Sequence, residues 1–186
     1  MRLLRLFLLL AWVAALPLHG QGVEAPRPLV LTEVLALPLS AGQVEKAAQT
    51  AWEYSFGQEP AARMAVLGDG TGRLEGAARF NFKSSTAGNR LATLGVIDYQ
   101  ITIQAENGLC RVRISQFNHT GNRYAPGGAV SLGRIYADKR PPERVPGISS
   151  GVAQRLNDDM RGQLGAHLSE VIKVFFRQLK NTVNTE

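Results

Sequence analysis

The stretch GVIDYQITIQAENGLCRVRIS, residues 95–115, decides the fold. Ile97, Tyr99, Ile101 and Ile103 alternate with Asp98, Gln100, Thr102 and Gln104. A β-strand turns successive side chains to opposite faces, so the alternation predicts a strand with one apolar and one polar side. Asn107-Gly108 follows, a pair that tolerates the positive φ of a tight hairpin turn. The return strand repeats the pattern, with Cys110, Val112 and Ile114 against Arg111, Arg113 and Ser115. Together they predict one sheet whose apolar face needs a cover and whose other face is polar.

Upstream, Leu74, Gly76, Ala78, Phe80 and Phe82 alternate with Arg73, Glu75, Arg79, Asn81 and Lys83 in a third strand. Ala62, Met64 and Val66 alternate with Ala61, Arg63 and Ala65 in a shorter one. The glycine-rich residues 68–72 between them read as a hairpin turn. A phosphate-binding loop leads into a helix and carries a Lys, and a calcium loop needs more carboxylates. Val30 to Leu37 reads as a first strand, ended by Pro38. Ser40 then caps a helix from about Ala41 to Tyr54, with Val44, Ala47, Ala48, Ala51 and Trp52 on one face.

Downstream, residues 118–147 are rich in Gly and Pro and read as a long loop with one short strand between Ala129 and Tyr136. Ser149 or Ser150 caps a final helix whose stripe runs through Leu164, Leu168, Val171, Ile172, Phe175 and Leu179. Val152, Leu156 and Met160 drift off that stripe, and Gly162 and Gly165 interrupt it. At 1.5 Å per residue the helix would be roughly 50 Å long, more than a small sheet is wide. Its first half is therefore expected to overhang, to kink, or to meet a second chain.

The expected fold class is α+β. An antiparallel sheet is built in the order strand, helix, four strands, helix, with both helices on the apolar face and a long C-terminal helix. Residues 1–20 are read as an export signal, 21–29 as a linker, 30–128 as the α+β domain, 129–148 as a Gly/Pro-rich loop and 149–183 as the C-terminal helix.

The signal is read from Arg2 and Arg5, the apolar run Leu6 to Leu16 and the break at Pro17. The run is short for a bilayer anchor, and no Cys stands at the cleavage point for a lipid. The expected location is secreted or periplasmic, with no stable membrane span after cleavage. Removing residues 1–20 lowers the formal charge of the 186-residue chain from +6 to +4. That is mild and does not by itself demand a polyanion. A single Cys excludes an intrachain disulfide framework and a multi-Cys zinc site, and three His without clustered carboxylates give no metal centre. No cofactor is expected.

Several segments are similar to a bacterial family of exported proteins known only as a domain of unknown function with a TBP-like fold. They are Trp52, the strand from Gly70 to Phe82, Gly95 to Ile103, and Asn107 to Ile114 ending at Phe117-Asn118-His119. The resemblance covers about residues 30–128. It implies the fold, and no activity is established in that family. The family has aromatics beside the Arg of the hairpin, where this chain has Leu109, Cys110 and Val112. The comparison concerns fold and does not import DNA binding.

Alternation places Arg63, Arg73, Arg79, Lys83, Arg111 and Arg113 on the polar sheet face, where basic side chains could hold phosphates or other acidic groups. The candidate ligand-binding residues are Arg79, Arg111, Arg113, Phe117 and His119. DNA-bending sheets need apolar wedges, and only Phe117 offers one, which argues against nucleic acid as partner. Cys110 points to the core, where a thiolate is disfavoured, and one His on the last helix, His167, makes no metal pair. No catalytic residue is assigned. The expected function is a non-catalytic binding or assembly module with an unidentified envelope or extracellular partner, and with self-association possible through the C-terminal helix. An anion-binding sheet face is the alternative, and a hydrolase using His119 is a weaker third.

Overall fold

The computed structural model describes residues 25–66, 71–86, 93–125 and 128–183. The expected export signal at residues 1–20, Gly68 to Gly70 of the glycine-rich turn and most of the loop after β3 lie outside the described residues. The elements are β1 (Leu31–Ala36), α1 (Ala41–Glu53), a 3-10 turn (Phe56–Gln58), β2 (Arg63–Val66), β3 (Arg73–Phe82), β4 (Gly95–Glu106), β5 (Leu109–Gly121), β6 (Gly133–Arg134) and α2 (Ser150–Val183). The sheet is antiparallel in the order β1-β5-β4-β3-β2, with β6 also beside β5. This is the expected α+β order, and β6 falls inside the stretch expected to hold one short strand.

The Asn107-Gly108 turn does more than reverse the chain. Because β1 lies beside β5, the turn sits under the start of α1. Asn107 Oδ1 accepts the Ala41 N–H at 2.9 Å. The Gly108 N–H donates to the Leu39 carbonyl at 2.8 Å, and the Gly108 carbonyl accepts the Leu37 N–H at 2.9 Å. Gln43 Oε1 accepts the Ser40 N–H at 3.1 Å, closing the helix start as Ser40 predicted.

The inward residues of the sheet meet both helices. Trp52 of α1 lies flat on Gly76, where a Cβ would stand 2.2 Å from the indole. The glycine is therefore fixed by close approach. Trp52 continues through Phe56, at 5.5 Å between ring centroids, to Phe175 of α2 at 5.6 Å. This aromatic file joins sheet, α1 and α2 into one core.

The first half of α2 does not overhang. Leu156 and Met160 are 1% and 0% exposed, in line with Leu164, Leu168 and Ile172 four residues apart. A four-residue step advances slightly more than one helical turn, so the apolar stripe winds round the helix instead of ending. The segment 129–148 roofs it with Val130, Leu132, Ile135 and Val145, all buried. Asn157, fully buried, accepts the Tyr136 N–H at 3.0 Å and donates to the Tyr136 carbonyl at 3.2 Å. Arg161 donates to the Ala137 carbonyl. The surface on which self-association was expected is thus spent inside the chain. Residues 27–29 are also no free linker. They pair with 135–137, and Arg27 meets the Asp138 carboxylate at 2.6 Å.

At the other edge, Asp159 of α2 holds the chain leaving β3. It accepts Ser84 Oγ at 2.9 Å, the Ser85 N–H at 2.8 Å and Ser85 Oγ at 2.7 Å. Burial opposes its charge, but these bonds and one from Gln163 outweigh it and hold the carboxyl below its usual range. Gly162 and Gly165 have nothing within 4 Å of where a Cβ would sit, so they do not break the stripe. Gly162→Ala and Gly165→Ala should each raise the unfolding free energy by roughly 0.5–1 kcal/mol, read from chemical denaturation.

Candidate functional site

Both helices pack on one face of the sheet, and among the described residues nothing covers the other. The strand register sets its rows. Arg73, Gln104, Arg111 and Val34 stand side by side across β3, β4, β5 and β1. Glu75, Thr102, Arg113 and Thr32 form the next row, and Arg63, Ala77, Gln100 and Ser115 the third, with Arg63 supplied by β2. Arg79 and Asp98 form a fourth.

Part of this charge is already matched. Arg73 Nη2 lies 2.5 Å from Glu75 Oε1, and Arg79 Nε lies 2.6 Å from Asp98 Oδ1. Both pairs are about half exposed, so each contributes little to stability. Arg63, Arg111 and Arg113 are exposed and have no hydrogen bond or ion pair to any described residue. Between them lie amides and hydroxyls: Gln100, Thr102, Gln104 and Ser115.

Phe117 and His119, grouped with Arg79, Arg111 and Arg113 as candidate ligand-binding residues, are not on this face. Gln100 faces Ser115 and Asp98 faces Asn118, so Gln116 and Phe117 together oppose the single residue Tyr99. Such a bulge shifts the alternation by one residue. Gln116 takes the extra position at φ 59°, the left-handed region usually left to glycine. Inward residues run Cys110, Val112, Ile114 before the bulge and Phe117, His119, Gly121 after it.

His119 is accordingly 1% exposed. Its Nδ1 accepts the Leu132 N–H at 3.2 Å, and its ring meets the edge of Phe82 at 5.5 Å. Burial lowers its pKa from 6.5 to about 4, partly offset by a hydrogen bond with the Thr93 backbone. A histidine so enclosed braces the loop before β6 and has no access to a substrate. Cys110 is likewise buried, which pushes its thiol up to about 12 and keeps it protonated.

A polar cluster on the covered side was not foreseen. Glu59 Oε2 accepts Tyr99 OH at 3.1 Å and sits 2.8 Å from His167 Nε2, while Phe80 stacks on the imidazole at 4.9 Å. Burial, and then the Glu59 charge, raise the Tyr99 pKa, so the phenol stays a donor. The cluster ties the segment before β2 to β4 and α2. Residues 59, 99 and 167 share no motif, so the sequence carried no signal for it.

The open face is hollowed. A depression of about 560 Å³ lies over Ala77 and is lined by Ala61, Arg63, Arg79, Asp98, Gln100 and Gln116. A cavity of about 850 Å³ lies at the start of α2, between Pro26, Arg27, Arg140 and Gly151. There Arg27 is held by Asp138, and Arg140 Nη1 donates to the Glu143 carbonyl at 2.9 Å. Among the described residues no three His, Cys, Asp or Glu side chains gather as a metal site, and no helix is long and apolar enough to cross a membrane.

No family model matches the chain, and no curated protein does. Solved structures do. A TBP-like protein from Parabacteroides distasonis is 7% identical, with a TM-score of 0.54 over 80% of this chain and 92% of that one. A DUF4468 family protein from Bacteroides ovatus is 14% identical, with a TM-score of 0.50 over 80% of this chain and 86% of that one. At these identities they show the fold, which is TBP-like, as the resemblance implied. The shared part is larger than residues 30–128.

Two outcomes follow from the bulge. Inserting one alanine between Gln116 and Phe117 should abolish folding, because it would turn Phe117 and His119 to solvent. Gln116→Gly should keep the fold with stability changed by no more than about 1–2 kcal/mol, since glycine relieves the left-handed conformation. Circular dichroism and urea unfolding distinguish the two. His119 binds a proton more readily unfolded than folded, so its contribution is complete above about pH 6.5 and is lost as pH falls toward about 4. The loss should reach about 3 kcal/mol, and His119→Gln should remove that part of the pH dependence.

Proposed function

We propose that the chain is an exported binding module that holds an anionic partner against the open face of its sheet. The observation that carries this is the set of unmatched guanidiniums, Arg63, Arg111 and Arg113, on a face that no helix covers. An uncovered antiparallel face is ordinarily laced with ion pairs, as Arg73–Glu75 and Arg79–Asp98 are here. Leaving three arginines without acids beside a belt of amides and hydroxyls offers positive charge and hydrogen bonds to a ligand. Arg111 and Arg113, two residues apart on β5, stand ~7 Å from each other, and Arg63 lies three strands away, ~14 Å. That spread suits an extended acidic chain.

The same face disfavours nucleic acid. No described aromatic side chain projects from it to stack on bases or enter base steps, now that Phe117 is assigned to the core. Export is read from residues 1–20 and places the partner in the envelope or outside the cell. A non-catalytic role accords with His119 being enclosed.

Arg111→Gln with Arg113→Gln should weaken binding of poly-glutamate roughly tenfold or more and flatten its dependence on salt. Titration calorimetry at low and moderate salt measures both. Equal affinity of the wild-type and double-variant proteins would overturn the proposal.

A further inference from the structure

We infer that the hollow over Ala77 is a discrete subsite for one oxyanion, a carboxylate or phosphate group. This deepens the proposed function and rests on the open face being the binding face. Shape comes first. Ala77 stands between Arg63 of β2 and Gln100 of β4, and its small side chain leaves a depression of about 560 Å³ in an otherwise populated face.

Its walls carry the right donors. Arg63 brings an unmatched guanidinium from one side. Arg79 brings a second, turned and fixed by the bond from its Nε to Asp98 Oδ1 at 2.6 Å. Its terminal nitrogens make no hydrogen bond to any described residue. With Asp98 counted, the hollow keeps one net positive charge, and a guanidinium offers an oxyanion two parallel donors. The Gln100 and Gln116 amides complete the rim.

The backbone singles out the same place. Among the described residues, Ala61 and Gln116 are the non-glycine positions with positive φ, at 53° and 59°, and both line this hollow. They come from different parts of the chain and border the same hollow. Strained backbone of this kind gathers where a fold holds a shape for a ligand.

The test is a titration of the purified protein with inorganic phosphate, with acetate and with poly-glutamate, followed by the side-chain amide signals of Gln100 and Gln116. Wild type should show saturable shifts at both residues. Ala77→Leu fills the hollow without changing charge, and Arg63→Gln, at an exposed position, removes charge without filling it. Each should weaken phosphate or acetate binding by about tenfold or more, with circular dichroism reporting the fold. Arg111→Gln with Arg113→Gln should leave the small-anion shifts in place. Saturation by phosphate or acetate alone identifies a free small anion as sufficient. Shifts with poly-glutamate but not with acetate identify an acidic side chain presented by a larger partner. Unchanged small-anion and poly-glutamate shifts in both Ala77→Leu and Arg63→Gln, or no shifts at Gln100 and Gln116 with any probe, would overturn the inference. Loss of poly-glutamate binding to the wild type with phosphate still seated at the hollow would instead overturn only the wider proposal.

Discussion

One extra residue on β5 governs which side chains face the helices and which face the open side. Before Gln116, odd-numbered residues point outward and carry Arg111 and Arg113. After it, odd-numbered residues point inward and carry Phe117 and His119. In uninterrupted alternation the same sequence would bury Asn118 and Thr120 at the end of β5 and expose the Phe117 ring. The same residue that completes the core also sets one wall of the hollow over Ala77, so packing and surface shape share a single local cause.

The rest of the molecule is arranged round that two-sidedness. The aromatic contacts that join sheet, α1 and α2 lie on the inward side, in the file Trp52, Phe56, Phe175 and in Phe80 against His167. Several polar groups taken inside are matched: Asn157 by the Tyr136 backbone, His119 Nδ1 by the Leu132 N–H, and Glu59 by Tyr99 and His167. An unmatched buried group would cost several times what each bond contributes. The outward side keeps Arg63, Arg111 and Arg113 unmatched, and water tolerates them there.

Much of this was legible in the chain. Alternation located the long strands, Asn107-Gly108 the hairpin, and Ser40 the start of α1, because each rests on local geometry. The facing of Phe117 and His119 was not legible. This bulge holds one residue at positive φ, and that residue is Gln116, not a glycine that would announce it. The course of α2 was misjudged for a related reason. Leu156 and Met160 were compared with a fixed stripe, whereas the covering segment 129–148 follows a stripe that turns. The hollow is bordered by Ala61 on one side and Gln116 on the other, a placement that no sequence spacing encodes. Arg79, Arg111 and Arg113 were found on the polar face because they stand in uninterrupted alternation.

The pairing of β1 with β5 has a kinetic consequence. Leu31 lies opposite Ile114, so the first strand of the sheet finds its neighbour only after more than eighty further residues have been made. Contacts of such separation close late, since the entropy of the intervening loop is lost before they form. Residues 27–29 wait longer still, for 135–137. The N-terminal end of the chain therefore stays extended while the β3–β4–β5 meander can already assemble. For a chain led by the export segment proposed at residues 1–20, that delay keeps the leading end threadable during passage and confines closure of the sheet edge to the far side.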